Sequence, residues 1–173
     1  EEIWNGSFRT EGLQSLHPLK DGESYSVLNF NKALRSTSID VYDYKASKYL
    51  TTILSSNNLN EVSYFLDYTF SNDESKILIA TSEQPLYRHS KLGLYYIYDV
   101  STKTLIQLSE EYVQEPSFSP DGSKVAYVLK NNIYVKDLNK NVTYQITNDG
   151  KLNHVINGVT DWVYEEEFAF VSA

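Results

Sequence analysis

The chain has no cysteine, and that absence removes disulfide scaffolds, thiolate metal sites and cysteine nucleophiles together. It leaves the compartment open, because an exported protein can do without disulfides. Histidine is scarce: His17, His89 and His154 lie far apart and none forms an H-x-x-x-H pair, so a zinc site has no local support. Basic clusters are missing too. With 15 Lys+Arg against 23 Asp+Glu the formal net charge is -8, and no Lys/Arg-rich run is available to grip nucleic acid or an anionic membrane. An acidic chain can prefer cationic ligands, but net charge alone is weak support for that. No apolar run approaches a membrane span, and no signal-peptide pattern opens the sequence. The start at "EEIWNGSF", without methionine, reads as a processed or trimmed end. N-x-S/T sequons stand at Asn5 and Asn141 and carry meaning only in a eukaryotic secretory pathway.

What is present is tyrosine and repetition. The 173 residues suit one domain with a real core, and an aromatic content of 14% dominated by 15 tyrosines leans toward pleated, half-buried surfaces. Three segments match one another: "PLKDGESYSVLN" (18–29), "TFSNDESKILIA" (69–80) and "SFSPDGSKVAYV" (117–128). Each turns at an aspartate (Asp21, Asp73, Asp121) and runs into an alternating apolar strand. Each is followed by a second strand that ends in an acidic turn, "IDVYDYKASKYLTTI", "YYIYDVSTKTLIQL" and "IYVKDLNKNVTYQIT". The turn aspartates recur 52 and then 48 residues apart, a period that fits the blades of a β-propeller better than a generic β-sandwich. In "SPDG" proline presets φ, aspartate bonds the local backbone and glycine supplies the conformations other residues avoid. Closed propellers need about four to eight blades, so three copies predict an all-β, partial β-propeller, a piece of a larger protein.

The copies are unequal. From the turn aspartate to the second acidic turn is 22 residues in the first copy, 26 in the second and 16 in the third. The second copy therefore carries an extended hairpin, "SEQPLYRHSKLGLYY" (82–96). Insertions in repeat proteins cluster on the binding face, and this one holds Arg88 between Tyr87 and His89.

The other irregularity is "NGVTDWVYEEEFAF" (157–170), with Glu165, Glu166 and Glu167 in a row. Adjacent residues diverge by about a quarter turn on a helix and alternate sides on a strand. Two of these acids can converge on one ligand only from a short helical turn or an irregular loop, and the third must then meet a structural partner or water. A solvated acidic turn is the bland alternative. Against it, Trp162, Tyr164 and Phe168 surround the acids and are expected to anchor the backbone and partly shield it from water. Carboxylates held together there are expected to raise one another's pKa and favour a cation. A metal would want histidine or more widely spread carboxylates, and a glycosidase pair would need acids separated across a sugar. A protonated amine, whose N–H donors suit two carboxylates, fits best.

Taken together, "NGVTDWVYEEEF", "YRHS", "FSPDGSKVAYV" and "NNIYVKDL" resemble the N-terminal propeller of the dipeptidyl peptidase IV family, serine exopeptidases of the prolyl oligopeptidase superfamily. The opening "EEIWNGSFRTEGL" and the closing "TNDGKLNHVINGVTDWVYEEEF" are similar to bacterial, Bacteroidetes-like members. The resemblance implies that residues 1–173 are the N-terminal part of an incomplete propeller set over an α/β-hydrolase domain that releases Xaa-Pro or Xaa-Ala dipeptides from free N-termini. It implies that Glu166 and Glu167 clamp the substrate ammonium, that Arg88 contacts the carbonyl of the P2 residue and orients the acids, and that Asp161, Trp162, Tyr164 and Glu165 support them. No metal or other cofactor is implied. The implied partners are a peptide with a free N-terminus, the remainder of the propeller with the hydrolase domain, and a second copy in a homodimer. Bacterial relatives imply the periplasm or the cell surface.

Departures limit the transfer. Phe170 stands where mammalian members carry a serine, so no substrate contact is assigned there. "NGS" near the start does not make a nucleophile elbow and no G-x-S-x-G occurs anywhere, so no catalytic residue is expected in this chain. His89 and His154 read as structural or hairpin residues rather than as a catalytic base. The alternative function is a non-enzymatic propeller scaffold for a protein or peptide partner.

Overall fold

The structure, a computed structural model, describes residues 16–172. The Asn5 sequon, the "NGS" triplet and the opening "EEIWNGSFRTEGL" lie outside the described residues. Three four-stranded antiparallel sheets follow one another along the chain. The first holds β1 (Leu16–Pro18), β2 (Ser24–Asn31), β3 (Ser36–Asp43) and β4 (Tyr49–Ser55). The second holds β5 (Asp67–Phe70), β6 (Lys76–Pro85), β7 (Lys91–Asp99) and β8 (Leu105–Gln107). The third holds β9 (Gln114–Phe118), β10 (Lys124–Leu129), β11 (Asn132–Asp137) and β12 (Val142–Gln145). Strands are ordered sequentially in every sheet, the meander expected of propeller blades. A short helix, α1 (Trp162–Phe168), comes last.

The repeated turns are the same object built three times. Asp21 accepts hydrogen bonds from the Glu23 and Ser24 backbone N–H groups, Asp73 from that of Ser75, and Asp121 from that of Ser123. In the second and third turns a serine two residues ahead, Ser71 or Ser119, also donates its hydroxyl to the aspartate. These donors, with the Ser24 hydroxyl contributing most at Asp21, hold the carboxyls of Asp21, Asp73 and Asp121 below the usual aspartate range, Asp121 at about 2. The residue after each aspartate is left-handed, with φ of 70° at Gly22, 60° at Glu74 and 66° at Gly122. Glu74 therefore occupies a backbone conformation that suits the glycines of the other copies. Its carboxylate accepts from the Lys20 backbone N–H at 2.7 Å, while the Lys20 ammonium donates to Asn72 at 2.8 Å. Neighbouring turns thus grip each other.

Two apolar cores lie between the sheets. Ile39 and Leu54 of the first sheet meet Tyr68, Ile77, Ile79 and Tyr98 of the second, with Val62 and Phe65 of the connecting segment between them. On the other side Leu78, Ala80, Tyr95 and Ile97 meet Val125 and Tyr127 of the third sheet and Leu138 just past β11. Alternation along β6 sends Ile77 and Ile79 one way and Leu78 and Ala80 the other, so the middle sheet is buried on both faces. Each sheet borrows its core from its neighbours, as stacked repeats do. The first strands of the first and third sheets, β1 and β9, are harder to read from the sequence because they are short and carry Pro18 and Pro116. Proline withholds a ladder donor and sits at sheet edges, where both strands lie.

Candidate functional site

The expected insertion is a long hairpin. β6 and β7 pair from Lys76↔Asp99 out to Pro85↔Lys91, with one register shift between Ala80 and Ser82, and residues 86–90 form its tip. Gly93 exchanges two backbone hydrogen bonds with Val113, at 2.8 and 2.9 Å, and so ties the hairpin to the segment entering the third sheet. A Cβ at Gly93 would lie 2.5 Å from the Tyr95 ring. Only glycine leaves that ring its place in the core. At the foot of the tip the Lys91 ammonium lies 2.5 Å from Glu83 and 3.7 Å from Asp67. Burial works against its charge, but Glu83 and Asp67 outweigh it and raise the Lys91 pKa. Half-buried Glu115 faces the same region, and burial pushes its carboxyl up despite the attraction of Lys91.

The acidic segment hangs from the third sheet. Asn157 donates both its backbone N–H and its side-chain amide to the Asn131 carbonyl, at 3.2 and 3.1 Å. Gly158, at φ 80°, lies against Val128 and Ile133. Asp161 then caps α1 by accepting from the Tyr164 N–H at 3.0 Å, the standard means of satisfying a first-turn donor. Ala169 ends the helix in the left-handed conformation, at φ 56°. The Thr160 hydroxyl closes the loop onto the Phe170 carbonyl at 2.5 Å. The three glutamates thus stand on the short helical turn that convergence of two of them requires.

Their environments differ sharply. Glu165 is 2% exposed, and one of its carboxylate oxygens accepts from the His89 and Ser90 backbone N–H groups at 2.7 and 2.9 Å. Glu166 reaches the Arg88 guanidinium at 3.0 Å. Glu167 is exposed. The structure therefore brings Arg88 together with Glu166, gives Glu165 a structural partner, and leaves Glu167 facing solvent beside them. A cleft of about 100 Å³ between the hairpin tip and the helix is lined by Ser90, Gln114, Asn131, Asp161 and Glu165 among others.

One expectation is bounded and another corrected. The aromatic residues cover the turn only in part: Trp162, Tyr164 and Phe168 are 56%, 53% and 60% exposed. A seven-residue helix lying on a turn buries one narrow face, and here that face carries Glu165. The hairpin tip does the enclosing instead. Crowding does not raise the pKa of Glu165. Burial pushes that carboxyl up, but the Ser90 and His89 N–H donors outweigh burial and hold it below the ordinary glutamate value. Glu83, Lys91 and Glu115 were not singled out in the sequence. The one signal was that both Glu83 and Lys91 sit inside the inserted hairpin, where Glu83 pairs with Gly93 and Lys91 with Pro85.

Among the described residues no group of three or more His, Asp or Glu is placed to hold a metal ion. No described helix is long and apolar enough to cross a membrane. What the site offers is carboxylate beside guanidinium: acceptors for a cationic donor group, next to a donor for a carbonyl oxygen.

Over residues 71–173 the sequence matches the family described as Dipeptidyl peptidase IV (DPP IV) N-terminal region. The chain belongs to that family. It is 39% identical over 118 residues to the human protein "Prolyl endopeptidase FAP", an alignment covering 67% of this chain and 15% of that protein. It is 41% identical over 105 residues to the cat protein "Dipeptidyl peptidase 4", covering 58% of this chain and 14% of that one. The crystal structure of Porphyromonas gingivalis dipeptidyl peptidase 4 superposes over 99% of this chain with a TM-score of 0.87 at 36% identity, using 24% of its own length. The tricorn protease shares the fold alone, at a TM-score of 0.51 and 11% identity. The DPP IV N-terminal region thus accounts for the partial propeller of a bacterial-type relative, and the chain spans about a quarter or less of each of these DPP IV and FAP relatives.

Proposed function

We propose that this chain is the substrate-recognition portion of a dipeptidyl peptidase IV-like serine peptidase. It holds the free N-terminal ammonium of a peptide on Glu166 and Glu167, while Arg88 takes the carbonyl of the second residue from the scissile bond. A separate α/β-hydrolase domain then releases an Xaa-Pro or Xaa-Ala dipeptide. The observation that carries the reading is the Arg88–Glu166 pair, 3.0 Å long, between a hairpin of one sheet and a helix hung from the next. A mere acidic surface turn has no need of a cation delivered from 78 residues away in sequence. Fixing the ammonium sets which peptide bond reaches the catalytic serine. A chain extended beyond that point lacks the charge and meets the acids instead, so cleavage position follows from binding geometry.

The test uses the full-length gene product, with a chromogenic Gly-Pro amide beside its N-acetylated form. Cleavage of the free amine alone supports the reading. Cleavage of neither by a folded protein replaces it with a propeller scaffold that binds a protein or peptide partner. Export to the periplasm or cell surface and homodimerisation accompany the proposal, and cell fractionation and sedimentation test them.

A further inference from the structure

Arg88 and Glu166 belong to parts of the molecule with separate anchors. Arg88 stands on the tip of the β6–β7 hairpin, a five-residue connection extending past the last strand pair, Pro85↔Lys91. Glu166 stands on α1, which is fastened to the third sheet through Asn157 and Asn131. The ion pair cannot by itself hold these parts in register, because the Arg88 side chain is 67% exposed and an exposed pair on long side chains contributes little. The contact that can hold them is Glu165. It is buried, charged, and hydrogen-bonded to two consecutive backbone N–H groups immediately after Arg88. Bonds of this kind, made to main chain rather than to a mobile side chain, fix the position of the tip itself.

We infer that Glu165 is a positioning residue: its carboxylate locks the hairpin tip onto the acidic helix and so sets where Arg88 sits relative to Glu166 and Glu167. The inference rests on the clamp reading for its consequence in catalysis, but not for the lock itself. Glu165 acts through Arg88, so its influence on turnover disappears once Arg88 is gone. It requires reach as well as charge. Aspartate keeps the charge and falls short by one methylene, whereas glutamine keeps the length and accepts the same two N–H groups more weakly.

The experiment combines hydrogen exchange with a double-mutant cycle in the full-length gene product. Exchange of the peptide covering residues 86–91 is expected to rise about tenfold in Glu165→Gln and further in Glu165→Asp, with the β6–β7 strand amides and the melting temperature nearly unchanged. On the free-amine Gly-Pro substrate, kcat/KM is expected to fall about tenfold for Glu165→Gln and at least as much for Glu165→Asp. In an Arg88→Ala background the same changes should cost less than twofold. Unchanged exchange at 86–91 overturns the lock. Multiplicative effects with Arg88→Ala, or Asp outperforming Gln, overturn the positioning role by making Glu165 a direct charge on the substrate. Failure of the clamp reading shows separately, as a Glu166→Gln enzyme that still rejects the acetylated substrate, and leaves the exchange result to decide the lock.

Discussion

Replacing the glutamates one at a time by glutamine separates their roles, because each change removes one charge and keeps the length of the side chain. Glu166 has a side chain only 16% exposed and already faces Arg88 at 3.0 Å, so a substrate ammonium placed there displaces little water. A hydrogen bond to a charged group contributes about 1.5–3 kcal/mol. At about 1.4 kcal/mol per factor of ten that is roughly tenfold to somewhat over a hundredfold in kcat/KM. Glu166→Gln also releases Arg88 from its partner and loosens a second substrate contact, so its loss is expected at on the order of a hundredfold or more. Glu167→Gln removes one carboxylate of the pair and is expected to cost on the order of a hundredfold. Glu165→Gln is expected to cost only about tenfold, since its carboxylate is occupied by His89 and Ser90. The assay is steady-state hydrolysis of a Gly-Pro p-nitroanilide by the full-length gene product, with the acetylated substrate as reference and circular dichroism confirming the fold. Equal losses for all three substitutions would refute the convergent pair and return the segment to a generic acidic surface.

Arg88→Ala is expected to lower kcat/KM at least tenfold while unfolding free energy moves by no more than about 0.5 kcal/mol, as for surface changes generally; urea titration beside the kinetic assay checks both. Ile79→Ala, at a fully buried position between the first two sheets, should cost about 2–5 kcal/mol in the same titration and leave the free-amine preference unaltered. Gly158→Ala sets a Cβ 2.7 Å from Val128 at a left-handed φ. A loss of about 1–3 kcal/mol is expected, with a matching rise in hydrogen exchange of α1. The turn aspartates give a pH test. The Asp121 pKa of about 2 in the folded chain lies below its ordinary value of 3.8, so its stabilisation is complete above about pH 4 and is lost as pH falls toward 2. The stability gap between wild type and Asp121→Asn should therefore be open at pH 7 and closed near pH 2, and a gap independent of pH would contradict the hydrogen-bonded carboxylate.

The blades were legible because their code is local. An aspartate two residues ahead of its own N–H donor, a left-handed residue after it and a period-two strand beyond specify a turn and a hairpin without reference to the rest of the chain. The insertion announced itself as excess length. The way Glu165 is spent was not legible, because nothing near "YEEEF" indicates that two N–H groups at His89 and Ser90 come to meet it. Adjacency in sequence points to shielding by the aromatic neighbours, which stays partial because a short helix offers its neighbours different faces. Contacts across 75 residues depend on how two sheets stack, and stacking is written in Ile77, Ile79, Leu78 and Ala80 rather than in the motif.

That separation has a mechanical meaning. The two apolar cores lie between sheets and contain none of Arg88, Glu165, Glu166 or Glu167. The site is instead assembled where an outgrowth of the second sheet meets an appendage of the third, joined by the Glu165 hydrogen bonds and the Arg88–Glu166 pair. Stacking delivers the two parts to the same place, and Glu165 fixes the remaining freedom of the tip. A scaffold loosened in its cores should therefore lose stability before it loses discrimination between free and acetylated N-termini, whereas a loosened tip should lose discrimination with the fold intact. Opposite ordering in any core variant would mean that the cores themselves shape the clamp.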